Sequence, residues 1–483
     1  MNRAFSKISL SVLFALSTSV SSAAPSAKPP ANPAPPSKVK RPPQYVMIGF
    51  DGGLNLPHWQ EMRDFSKAMK RAKKPVAFTY FVSGVYFLSH NNKHIYAAPK
   101  HTPGYSLIGF AEDKPEIISD RVDMMNGAFV EGAEIASNAN GHFDASEDKW
   151  NADDWSSELK QYDDLLFGAF FNNKAQPNPM NKYPHGYAFD SKEIVGFRAP
   201  NLGITPDLYP ELKAYGYKYD ISSTGEPMFW PRKDANGIWR FQVPSIELAG
   251  TAKKVLSMDY NFYEAQSKGV DDLANREVYR KQMLDSYMNY FNNNYYGNRT
   301  PVFIGHHFAL YNGGAYWDAV KDFATQVCGK PEVKCVTYKQ YAMWIDSLKD
   351  DKFMAYRNGQ FDLLPRPRTL DYQPARSLDV RLQLRKIGEE LKIIASGADY
   401  SSERMKIVIS IDGKIMPLKK DLNLQTLRHQ FPVGSELRIS ASVRNRRGLE
   451  LQSDTHVIRD LGTAQEEFVE IPLEGNLKTD KFL

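Results

Sequence analysis

The sequence predicts an α/β chain, with a (β/α) barrel-like domain followed by a small all-β, sandwich-like domain. Three observations carry this. From about residue 45 to residue 326, short apolar runs alternate with longer amphipathic ones. Chemically loaded residues punctuate the far ends of the apolar runs. Beyond about residue 370 the pattern changes to short strand-like runs with a hairpin signal.

The first apolar run, YVMIGF at 45–50, is continuous, as expected of a strand buried on both faces. A helix is expected from 57 to about 73, with Pro57 suited to its first turn. Residues 76–82 (VAFTYFV) give the second strand, about 120–133 a helix and 134–137 a third strand. A helix follows over 153–170, then a strand over 194–197 that ends in Arg198-Ala199-Pro200. Residues 206–215 read as helix, and 217–221 and 239–246 as strands. The helix over 274–296 places Leu284, Tyr287, Met288 and Phe291 on one face. A strand over 301–304 ends at His306-His307, and a last helix spans 317–326. Strand then helix, repeated about seven times, implies a parallel sheet with right-handed crossovers. In a (β/α) barrel the chemistry sits at the C-terminal ends of the strands. Asp51, Asn138, His142, Arg198, Asp220 and His306 fall at such ends.

The runs VRLQLRKI, LKIIASG, KIVISIDGKI and ELRISASVRN place the small β domain at about 375–460. Asp412-Gly413 is its hairpin signal. A polar tail covers 461–483. At the other end, Arg3 and Lys7, an apolar stretch over 8–20 and small residues at Ser21, Ala23 and Ala24 read as a signal peptide over 1–23. Residues 24–43, rich in Pro, Ala, Ser and Lys, read as a disordered linker. Export to the periplasm or the extracellular space is the expectation.

Composition narrows the function classes. Hydrophobic residues are 42% and charged residues 24%, the balance of a globular protein. No uninterrupted apolar run reaches about 18 residues, so no transmembrane helix is expected. The net charge is +5 and falls to +3 without Arg3 and Lys7 (5 − 2), too small for a nucleic-acid binder of 483 residues. Aromatics at 12% suit sugar stacking, though most such rings pack in cores. With export, Cys328 and Cys335 are expected to form a disulfide, with two free thiols as the alternative.

Five short motifs carry chemistry. They are GFDGG at 49–53, GAEIASNANGH at 132–142, FRAPNLG at 197–203, YKYDISST at 217–224 and PVFIGHH at 301–307. In this order the chain resembles the polysaccharide deacetylases of carbohydrate esterase family 4, closest to their chitin-deacetylase-like branch, over about 44–345. The resemblance implies a distorted (β/α) barrel, here 44–365, and a divalent metal, zinc foremost, that serves removal of acetyl groups from a polysaccharide. It makes Asp51 the general base, Arg198 the residue that orients it, and His306 the general acid, with His307 selected by a one-residue slip. His142 takes the place of one metal ligand. Gly52 stands where a metal-binding Asp belongs, and Asn138 where a ligating His belongs, so the metal triad is incomplete. Pro200 completes the Arg-x-Pro motif, and Asp220 is a supporting residue.

The chemistry of amide deacetylation explains why that gap matters. The reaction needs an activated water, a proton acceptor and a proton donor, and a metal polarises the carbonyl and acidifies the water. A catalytic metal site ordinarily has three protein ligands. Asn138 offers only a neutral carbonyl oxygen. Replacement ligands are sought in Asp144, two residues past His142, and in the segment over 90–118, which holds His90, His94 and His101. The bland alternatives are a structural Asp51–Arg198 ion pair, a core His142 and exposed loop histidines. Two functions follow: an exported, monomeric deacetylase acting on an N-acetylated envelope glycan, peptidoglycan or chitin-like, or a pseudoenzyme that binds the glycan without hydrolysing it. A third class is a structural envelope protein that binds through its β domain.

Overall fold

The computed structural model describes residues 39–367 and, beyond them, seven strands and one helix between 381 and 458. The signal over 1–23, the linker as far as residue 38 and the tail over 461–483 lie outside the described residues. The last residues assigned to the linker are docked on the fold. Val39 N–H donates to the Gln360 carbonyl at 2.8 Å, and Arg41 pairs with Glu332 at 2.9 Å.

In chain order the main elements are β1 (Gln44–Gly52), α1 (Leu56–Arg71), β2 (Thr79–Val82), α2 (Pro115–Val130), β3 (Glu134–Ser137), α3 (Ala152–Phe167) and the short α4 (Ala169–Asn172). Next come β4 (Gly196–Phe197), α5 (Leu208–Ala214), β5 (Tyr219–Gly225), β6 (Arg232–Lys233), β7 (Trp239–Glu247) and β8 (Lys254–Leu256). The body ends with α6 (Asp259–Ser267), α7 (Arg276–Tyr295), β9 (Val302–His307), α8 (Tyr311–Val327), β10 (Val333–Cys335), α9 (Tyr338–Asp346) and α10 (Asp350–Arg357). Helices α6, α9 and α10 were not foreseen. On α7 the buried face is Met283, Tyr287, Tyr290 and Phe291, while Leu284 and Met288 are only partly buried.

The sheet runs β10-β1-β2-β3-β4-β5-β7-β6, with β9 also on β1 and β8 also on β7. Pairs among β1 to β5, and those with β7, β9 and β10, are parallel. The expected barrel is corrected to a curled, open sheet. The outer edge of β7 is occupied by β6 and β8, both antiparallel to it, so β9 cannot pair there. Ser257 spans the resulting seam. Its N–H donates to the Pro244 carbonyl at 2.9 Å, and its carbonyl accepts from Gly305 N–H at 2.9 Å.

Strand parity sorts the core into two faces. Met47, Phe81, Ala136, Phe241 and Phe303 line the inside of the curl. Val46, Ile48, Phe50, Tyr80 and Ile304 pack against the helices outside. Helix α9 plugs the inside: the Tyr338 ring stacks on Phe303 with centroids 5.5 Å apart, and Tyr341 packs in the same cluster. Its N-terminus is held by the starts of two strands. Tyr338 N–H donates to Thr79 Oγ1 at 3.0 Å and Lys339 N–H to the buried Glu134 carboxylate at 2.9 Å. Free N–H groups at a helix start favour such a carboxylate. The plug therefore meets the N-terminal ends of the strands and leaves their C-terminal ends open. Beside it, a disulfide joins Cys328 at the end of α8 to Cys335 in β10.

Beyond the body lie two antiparallel sheets. One is β11 (Arg381–Ile387), β12 (Glu390–Ser396) and β15 (Asp421–Asn423). The other is β14 (Lys414–Met416), β13 (Arg404–Ile411), β16 (Leu437–Arg444) and β17 (Glu450–Ile458). Asp412 and Gly413 have φ of +46° and +78°, as the predicted two-residue hairpin requires. A short helix, α11 (Leu424–Gln430), not foreseen, follows β15.

Candidate active site at the open strand ends

The loops that leave the sheet are stitched to one another by continuing its ladder. Ser83 N–H donates to Gly52 at 3.2 Å, Asn138 N–H to Val82 at 2.9 Å and Arg198 N–H to Ser137 at 3.0 Å. On the other side, Phe308 N–H donates to Asp51 at 3.2 Å. Asp51, Asn138, Arg198 and His307 thus take fixed places around one rim.

Arg198 is 1% exposed and donates from Nη1 to Asp51 Oδ1 at 2.6 Å. Its guanidinium lies 4.3 Å over the Phe81 ring, and Nη2 donates to the Tyr338 hydroxyl at 3.4 Å. Burial works against its charge, but the Asp51 carboxylate outweighs this and holds the Arg198 pKa above its ordinary value. The loop after Arg198 is propped from below. Asp220 is wholly buried and accepts from the hydroxyls of Ser222 and Tyr209. Ser222 Oγ in turn accepts from Ala199 N–H at 2.8 Å. Pro200 is buried and opens a tight turn in which Asn201 and Leu202 have φ of +53° and +57°.

The two histidines of β9 face opposite ways. In the β1–β9 register Phe50 is opposite His306, and Asp51 is opposite His307. His306 therefore shares the helix-facing side with Phe50. It is 0% exposed, its Nε2 lies 3.2 Å from the Tyr287 hydroxyl, and burial lowers its pKa to about 4. His307 shares the side of Asp51, and its side chain keeps 27% exposure. Its Nδ1 lies 2.6 Å from Asp259 Oδ1, and its backbone N–H donates to Asp259 Oδ2 at 2.9 Å. Burial disfavours charge on His307, but Asp259, then Asp51, overcome it and raise its pKa. Asp259 feels the same pair from its own side: burial pushes its pKa up, and His307 carries it below the ordinary value. Sequence reasoning missed Asp259; an Asp opening an amphipathic stretch is its one signal.

The expected metal site does not assemble. His142 sits on a loop with φ +64° and is electrostatically coupled to His307 and Asp51. Burial, then the His307 charge, lower its pKa, while Asp51 works in the other direction. Asn138 has both amide atoms committed: Nδ2 donates to the Arg198 carbonyl at 2.9 Å, and Oδ1 accepts from the Ser83 hydroxyl at 3.3 Å. Gly52 brings no carboxylate and has φ +102°, a conformation other residues rarely adopt. Asp144 Oδ1 is spent capping its own turn, accepting from Ser146 N–H at 2.9 Å and Glu147 N–H at 3.2 Å. His90 and His94 are exposed on a 3-10 helix, and His101 bonds Asp148 at 2.9 Å. Among the described residues no three His, Cys, Asp or Glu side chains are grouped to hold a metal ion. The residues present do not fit zinc.

No protein-family model and no curated protein matches the chain. Solved structures do. A protein described as a polysaccharide deacetylase from Mycobacterium smegmatis is 16% identical, with TM-score 0.39, covering 70% of this chain and 99% of its own. A family 4 carbohydrate esterase from Streptomyces lividans is 13% identical, with TM-score 0.30, covering 60% and 90%. A pseudoenzyme of the same esterase family from Bacillus anthracis is 7% identical, with TM-score 0.34, covering 64% and 69%. At such identities and TM-scores the chemistry has to be argued from the chain's own residues.

Proposed function

We propose that this chain binds an N-acetylated envelope glycan in a deacetylase-type groove that has lost metal-dependent hydrolysis. The observation that carries the reading is the commitment of Asn138 to Ser83 and Arg198, beside a Gly52 that offers no ligand. A carbonyl oxygen already accepting a hydrogen bond, and a neutral one, is a poor substitute for imidazole toward zinc. Export, the periplasmic or extracellular location, the monomeric state and the glycan itself are parts of the same proposal. They rest on the N-terminal pattern and on the motif resemblance.

A second reading, hydrolysis without a metal, is favoured by one observation: the two proton-handling pairs persist. Arg198 fixes the Asp51 carboxylate, which in this reading takes the proton from water. Asp259 favours the cationic form of His307, which in this reading protonates the leaving amine, the role the motifs first gave to His306. What this arrangement lacks is a strong polariser of the acetyl carbonyl. Besides Arg198, which Asp51 already holds, the His142 imidazole is a donor coupled to both His307 and Asp51.

The test is acetate release from N-acetylglucosamine oligomers, followed with chelator and with added zinc, beside calorimetric binding of the same oligomers. The expected result is binding without acetate release in either condition. Release that survives chelation, and falls with His307→Gln, supports the second reading. Release that requires zinc overturns both.

A further inference from the structure

The segment over 90–118, which lies outside the five motifs, builds a cavity beside the open strand ends. The cavity has a volume of about 880 Å³. One wall continues from the rim along the chain: Phe143 follows His142, and Asn201 comes three residues after Arg198. The other wall is Lys100 to Leu107. This loop is held, not loose. Gly104 N–H donates to Tyr96 at 2.7 Å and Leu107 N–H to Gly141 at 2.9 Å, while Gln161 bonds both backbone groups of Ala97. Yet it keeps Tyr105 44% and Leu107 55% exposed. The rings form a layered shelf, with His101 stacked on the buried Phe143 at 4.3 Å and Tyr105 on the same ring at 5.9 Å.

We infer that this shelf is a second sugar-binding subsite, which takes neutral N-acetylated units of the chain whose neighbouring units lie at Asp51 and His307. The inference rests on the glycan reading above. Ring faces and an exposed Leu suit the apolar faces of pyranose rings and acetyl methyls. Carboxylates among them accept from sugar hydroxyls. Asp144, Glu147 and Asp148 line the cavity, and the cation of Lys100 is paired with Asp154 at 2.9 Å. Three carboxylates make the shelf unfavourable for uronic-acid or phosphate-bearing polymers.

Calorimetry with N-acetylglucosamine oligomers of increasing length tests this on the full chain, with Tyr105→Ala and Leu107→Ser as variants. Both side chains are exposed, so the fold tolerates their loss. Affinity is expected to rise with oligomer length in the parent. The combined variant is expected to lose about tenfold for the long oligomer and to leave the shortest unchanged. Equal loss at every length, or none, overturns the subsite and leaves the glycan reading standing. No binding of any oligomer by the parent overturns the glycan reading and the subsite together. Tighter binding of a polyuronate than of the neutral oligomers overturns the subsite, as does a parent dimer that the two substitutions dissolve.

Discussion

Replacing Arg198 with methionine lowers the unfolding free energy by about 3–5 kcal/mol, read by urea titration. The size follows from burial. Both partners of the Arg198–Asp51 pair are withdrawn from water, and removing one leaves the other charged and unmatched. Arg198 also fills the inside of the curl between Phe81 and Tyr338, so a shorter replacement would add a cavity to the lost charge. Methionine keeps most of the volume and isolates the electrostatic part. The double variant Asp51→Leu with Arg198→Met is expected to recover part of the loss, because no lone charge then remains. If the single variant is as stable as the parent, the pair is not the organising contact of the rim.

Asp259→Asn should have its largest effect on His307. Asparagine keeps the shape and a hydrogen bond but removes the charge that holds the His307 pKa up. An imidazole titration by NMR is expected to show that pKa fall by one unit or more, about a tenfold change in proton affinity. The stability profile must change with it. A histidine whose pKa is raised by folding contributes stability fully below its unfolded value of about 6.5, and loses it as pH rises through the folded value. Asp259, depressed on folding, contributes above its unfolded value of about 3.9 and loses this as pH falls through its folded value. His306 has the opposite sign to His307: buried neutral, with a pKa near 4, it destabilises the fold as pH falls below about 6.5. Asp259→Asn should therefore flatten the alkaline limb and, because the Asp259 carboxylate 3.6 Å from His306 Nδ1 also works to raise the His306 pKa, deepen the His306 part of the acid limb. An unchanged alkaline limb would mean that His307 is not held charged by Asp259.

The contrast between these histidines shows where the sequence stops being legible. The strand–helix alternation was plain, and the third strand, Glu134–Ser137, lies where the apolar run places it. The choice between His306 and His307 was not plain, because β9 is apolar on both faces and shows no alternation to read. Only its register against β1, which sets His307 opposite Asp51, decides the side. The open seam was equally hidden. It depends on β6 and β8 occupying the edge of β7, and strands of two and three residues leave little trace in a hydrophobic pattern. That Gly52 and Asn138 are poor metal ligands was legible from their side chains alone. That Asn138 is further committed to Ser83 and Arg198 required the loops to be seen side by side.

The seam at Ser257 also bears on how the rim moves. Asp259 follows Ser257 by two residues, so the carboxylate that governs His307 hangs on a part of the sheet with few backbone bonds across it. Local opening starts where few bonds must break together. Amide exchange at Ser257 and Gly305 should then outpace exchange at Gly49 and Phe50 in β1, which are paired with β2 on one side and β9 on the other. Each such opening would separate His307 from Asp259 while leaving Asp51 clamped by Arg198. The two halves of the proton-handling pair would therefore differ in lifetime: a lasting acceptor, and a donor that is intermittently released.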